Sequence, residues 1–285
     1  GQGLTPRTLN IVKHGNMDQA TCGYGCSGNP YDAYWDFSPV GHGDLHELGH
    51  GLQSRRFRLT HDGNEYGGHG TTNWYSFYTK SRYFEDHQGD VGNWSVPHLH
   101  LFEQLQRAYQ AGEREGDFSN HMDAYLGAAI LDGEKRNSYA FFIQEALAAV
   151  HSGQLENGYH FIPRIHILLE AFNDATDSDA LWTANRATLG FDGFSLSEAQ
   201  SITNNDFMFV ALCRVTSLDY TDFFAMWGVA ISDTARSQVA SFRYPAVPRA
   251  FYAMNDGDHT QGALSTRFHA IPRLQIDGTT SWPLP

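Results

Sequence analysis

The chain has 285 residues, of which 41% are hydrophobic and 14% aromatic, and a net charge of −13. That is enough apolar matter for one sizeable core, and it excludes general disorder. The acidic balance argues against nucleic acid or an anionic membrane surface as partner, and no run of about 18 apolar residues is present to span a bilayer.

The chain opens on Gly1-Gln2-Gly3 with no initiator Met and no signal peptide, so it is expected to be a mature or excised part of a longer precursor. Residues 8–13 read as a short strand. Residues 20–44, rich in Gly, Asn, Pro and aromatics, suit loops and short strands lining a cleft. Within them, the glycines of Cys22-Gly23-Tyr24-Gly25-Cys26 could let the two sulfurs meet. A disulfide there would suit an exported protein, and two free thiols are the alternative.

The segment Gly43–Gln53 contains His46-Glu47-Leu48-Gly49-His50, an HExxH pattern. On a helix His46 and His50 lie one turn apart, so both imidazoles can reach one ion, and Glu47 can hold and deprotonate a water there without being a ligand. At 100° per residue Leu45, Leu48 and Leu52 gather on the opposite side from the three polar residues. The spacing therefore predicts a helix with its back in a core and its polar face on a cleft. The bland alternative is a helix with satisfied surface histidines.

Catalytic zinc usually has three protein ligands and an open position. The metzincin pattern fails, because Gln53 and Arg56 stand where its Gly and third His belong. The preferred third ligand is His69, heading a polar stripe of Thr72, Asn73, Ser76 and Lys80 on a helix whose neighbouring stripe is Trp74, Phe77 and Tyr78. The alternative is Glu65, which precedes Gly67-Gly68, a pair that favours a loop. His42 and His61 read as surface or supporting residues.

Further along, segments 97–112, 138–151, 160–173, 197–217, 219–229 and 232–242 carry helical spacing, and 111–120 and 152–158 read as exposed loops. Ser197-Glu198-Ala199-Gln200 is a candidate capping box, Gly228 a candidate helix stop, and Cys213 a buried free thiol. The expected fold class is α+β: one helix-dominated domain over residues 1–285 with a small sheet. From about residue 243 an irregular C-terminal extension is expected, at about 40 residues small for an independent unit.

The run from His46 to Gln53 resembles the HExGHxxQ core of the enhancin-like, mucin-degrading zinc metallopeptidases, and Thr71–Tyr78 resembles the segment after their third ligand. Cys26–Trp35, Gly41–Asp44 and Asp219–Gly228 are similar to a bacterial branch of that group, so the likeness covers about residues 20–235. It implies a zincin-type catalytic domain with Zn2+ as cofactor. It also implies secretion from a bacterium, and cleavage of O-glycosylated proteins beside a glycosylated Ser or Thr. The group's third ligand is usually a glutamate, and His69 stands in its place here.

The expected chemistry is peptide hydrolysis, with His46, His50 and His69 as ligands and Glu47 as general base. Tyr66 and Tyr75 are among the donors that could stabilise the oxyanion. Asp44 and Asn73 could orient ligands, although Asp44 equally suits a helix-terminal acid. Trp35, Trp74 and Tyr31 could stack on sugar, although such residues are more often core. The rival function is a non-catalytic glycan-binding module, or a pseudoenzyme with a structural zinc. Glu47 argues against it, since a structural site needs no base.

Overall fold

The computed structural model describes residues 49, 54–61, 64–65, 67–87, 98–115, 136–254 and 270–282. After a 3-10 turn at Arg55–Phe57 come strands β1 (Thr60–His61) and β2 (Asn64–Glu65). Nine helices follow among the described residues: α1 (Gly67–His87), α2 (His98–Glu115), α3 (Arg136–His151), α4 (Phe161–Ala175), α5 (Asp179–Leu189), α6 (Leu196–Gln200), α7 (Asn204–Thr216), α8 (Thr221–Met226) and α9 (Asp233–Phe242). Strands β3 (Ala250–Tyr252) and β4 (Arg273–Gln275) close the order. The domain is helix-dominated, as its spacing predicts, and its small sheet is two separate antiparallel ladders, β1–β2 and β3–β4.

Helix α3 is the centre of the core. Every residue from 140 to 150 is buried, with Phe141 set against Phe223, Phe224 and Trp227. A stretch buried all round, Gln144 and Glu145 included, has no solvent face to present. Helix α1 packs along it. Helix α4 shows the usual amphipathic logic: Phe161, Ile162, Ile165, Leu168, Leu169, Phe172 and Ala175 form one buried stripe.

Several boundaries depart from the sequence reading. Helix α1 begins at Gly67, so the Gly67-Gly68 pair opens a helix rather than a loop. Helix α2 runs on to Glu115, into a stretch that reads as loop. The predicted helix over 197–217 is two, α6 and α7, because Thr203 caps a new start by accepting from the Asp206 N–H. The capping box sits two residues earlier than expected. Ser195 accepts from the Glu198 N–H, and the Glu198 carboxylate accepts from the Ser195 N–H at 2.8 Å. Gly228 does end α8, at φ 66, with the Gly228 and Val229 amides donating to Ala225 and Phe224.

The chain beyond residue 243 packs onto the same core. Phe251, Tyr252, Met254, Leu274 and Ile276 are buried there. The Gln144 side chain on α3 acts as a strand neighbour: its amide N–H donates to the Tyr252 carbonyl (2.9 Å), and its oxygen accepts from the Tyr252 N–H (2.8 Å). No described helix is long and apolar enough to cross a membrane.

Candidate active site

Of the HExxH segment, Gly49 is the residue the structure describes: it is helical and buried. A Cβ at Gly49 would meet the Thr72 carbonyl oxygen at 2.9 Å and the Tyr75 Cδ2 at 2.9 Å, both on α1. Only glycine lets two backbones come this close, since real Cβ atoms do not approach other heavy atoms within 3 Å. Gly49 is therefore seated directly on the turn of α1 that follows His69. His46, Glu47 and His50 lie outside the described residues, as do His42, Asp44, Tyr31, Trp35, Cys22 and Cys26.

His69 is the third residue of α1, three positions ahead of Thr72, so its place is about one helical turn from the Gly49 contact. The stripe below it is enclosed: Thr72, Asn73, Ser76 and Lys80 are all buried. Polar side chains at so closed a position must have partners, which is what a supporting layer around a metal requires. Glu65, the alternative ligand, sits on β2 opposite Thr60. The side chains of His69 and Glu65 are outside the described residues. Among the described residues no three His, Cys, Asp or Glu side chains gather to hold a metal.

Residues 54–60 are tied down by α7 and the loop before it. The Arg56 guanidinium donates to the Ile202 carbonyl and lies 5.9 Å from the ring centres of both Phe172 and Phe207. Burial lowers its pKa. Thus the position that would be a metzincin ligand is a structural anchor here. Asn205 holds β1 from both sides of one residue. It accepts from the Thr60 N–H (2.8 Å) and donates to the Thr60 carbonyl (2.9 Å) and the Ala230 carbonyl (3.0 Å).

Two aromatic candidates change role. Trp74 is buried among Phe77, Tyr159 and Phe161, so it is core and offers no sugar platform. The Tyr75 hydroxyl is hydrogen bonded to His166 Nε2 on α4 at 2.6 Å, which commits it to structure rather than to an oxyanion. Burial pushes the His166 pKa down to about 4 and raises that of Tyr75. His166 lies in an apolar run of α4, where nothing in the sequence marks it. Gly49 was marked, by the small residue inside HExGH.

Helix α3 carries a buried acid, Glu145. Among the described residues the Glu145 carboxyl has no hydrogen-bond partner, and burial holds its pKa well above the usual carboxylate range. Cys213 nearby is a buried free thiol, as its apolar surroundings predict, raised first by burial.

No protein-family model matches the chain. Over 295 aligned positions, 99% of the chain is 28% identical to the immunomodulating metalloprotease of Pseudomonas aeruginosa, and the match spans 29% of that protein. An IMPa metallopeptidase in complex with T-antigen superposes with a TM-score of 0.72 at 26% identity, over 93% of this chain and 28% of that one. IMPa from Pseudomonas aeruginosa in complex with an O-glycopeptide superposes with a TM-score of 0.71, also at 26% identity and over 93% and 28% of the two chains. In fold and in sequence the chain is similar to these IMPa metallopeptidases. The chain is IMPa-like across nearly its whole length, while spanning 29% of the curated relative.

Proposed function

We propose that this chain is a zinc endopeptidase domain of an exported bacterial protein, hydrolysing the backbone of O-glycosylated, mucin-like proteins beside a glycosylated Ser or Thr. The observation that supports the metal site is Gly49, which lies within the HExxH sequence and is seated on α1 about one turn from His69. Imidazole donors suit zinc, and the enclosed polar stripe of α1 suits their support. His46, His50 and His69 would hold the ion, with Glu65 as the alternative third ligand. When bound, zinc supplies Lewis acidity to the scissile carbonyl and to water. Glu47 takes the water proton and passes it to the leaving amine.

The substrate class is supported by the T-antigen and O-glycopeptide complexes of the IMPa relatives. A glycan bound away from the scissile bond can position the carbonyl, so its removal should lower turnover as well as affinity. The test is mass spectrometry of a mucin-type glycoprotein digest, with and without prior glycan removal, using Glu47→Gln as control. Cleavage next to glycosylated Ser or Thr should vanish on deglycosylation and fall roughly 100-fold or more in Glu47→Gln. Equal cleavage of bare and glycosylated chains would leave only a general zinc endopeptidase. Zinc-loaded Glu47→Gln with normal turnover would remove the base.

A further inference from the structure

One pair of side chains touches the metal-binding segment's surroundings at two places. The Tyr75 ring is the surface on which Gly49 rests, with Cδ2 2.9 Å from where a Cβ would stand. His166 packs its ring against Phe57, centroid to centroid 4.4 Å, and Phe57 is buried in the 3-10 turn just after the HExxH segment. The two are joined by the 2.6 Å hydrogen bond between the Tyr75 hydroxyl and His166 Nε2. Helices α1 and α4 are thus linked beside Gly49 and Phe57. Both partners are uncharged near neutrality, since burial keeps the imidazole unprotonated and the phenol protonated. A neutral, enclosed hydrogen bond of this kind holds its geometry without competition from water.

We propose that Tyr75 and His166 are positioning residues for the metal site: their hydrogen bond fixes how Gly49 sits on α1, and so acts on the candidate ligands His46 and His50 through the residue next to them in sequence. The inference rests on the zinc reading of His46 and His50. Packing alone would make Tyr75 a ring and His166 a filler. The hydroxyl–imidazole bond adds direction, because it sets how far the ring can tilt away from Gly49.

The experiment measures zinc affinity of folded apo-protein by chelator competition, with the absorption spectrum of the cobalt-substituted form as a second readout. Tyr75→Phe keeps the ring and deletes the bond, and His166→Leu keeps an apolar body on Phe57 and deletes it from the other side. Each should retain the helical circular dichroism, weaken zinc binding about 10- to 100-fold and alter the cobalt spectrum, the scale seen when a ligand's support is removed. The double variant should bind no more weakly than the worse single one. Zinc affinity and cobalt spectrum unchanged in either folded variant would overturn the proposal. So would loss of fold in both, which would make the pair core packing. A wild type that takes up zinc yet cleaves nothing would sink the peptidase reading and leave the pair's role standing. A wild type that takes up no zinc would sink both.

Discussion

At the scale of the residue, the two ligand candidates make separable claims. His69 belongs to a helix on which Gly49 is seated, whereas Glu65 belongs to a strand pinned through Thr60 to Asn205. His69→Ala should release zinc, and Glu65→Ala should keep it, measured as metal content of purified protein. The reverse ranking would transfer the third ligand to Glu65. Glu145 supports a different prediction. Its folded pKa is raised, so the native state holds its proton more tightly than the unfolded chain does. Its contribution to stability is full below the unfolded carboxylate pKa and declines as pH rises toward the folded value, by at most about 1.4 kcal/mol per pH unit. Glu145→Gln, isosteric and uncharged, should unfold at a higher temperature than the wild type at pH 8, with the gap closing toward pH 4. Parallel melting curves across that range would dismiss the account.

At the scale of the element, Asn205 makes the clearest test. It is buried and serves three backbone groups of β1 and the loop before α9. Asn205→Ala strands those groups, so it should cost about 2–4 kcal/mol in urea unfolding. A loss under about 1 kcal/mol would mean that water substitutes freely. Elements were legible where spacing was dense. Helices α3, α4 and α9 follow from apolar periodicity, and Gly228 from its left-handed stop. Helix α5 went unseen because it buries only Trp182 and Leu189, too few to set a period. Its punctuation was there to read: Ser178 caps its start, and Gly190 at φ 86 ends it. The β1–β2 hairpin was missed although Asp62-Gly63 between its strands is a strong turn signal. At the site, HExxH and the stripe below His69 were visible as local patterns. The Tyr75–His166 pair and the Asn205 clamp join residues 91 and 145 positions apart, which no local pattern can disclose.

At the scale of the whole molecule, the segment after residue 243 is part of the core rather than an appendage. Phe251, Tyr252, Met254, Leu274 and Ile276 are among the buried apolar side chains it contributes, at about 1.5–3 kcal/mol each. Their sum rivals the roughly 5–15 kcal/mol that holds a domain together. Ending the chain at Arg243 should therefore abolish the single sharp thermal transition rather than lower it slightly. A truncated chain that melts as sharply and as late as the full one would show the tail to be dispensable. The Gln144 clamp on Tyr252 ties that tail to α3 and so, through α1, to the side of the fold that bears Gly49.

The enclosure of residues 140–150 in α3 also has a consequence in time. A helix with eleven consecutive buried residues cannot be solvated one face at a time, so its amides exchange with deuterium only when its neighbours have let go. Residues 140–150 should be the slowest to exchange in the chain, and the exposed amides of α5 among the first. Helix α1, lying on α3, inherits part of that slowness, and Gly49 rests on α1. Gly49 would then rest on a floor that stays shut on a much longer timescale than the exposed helices.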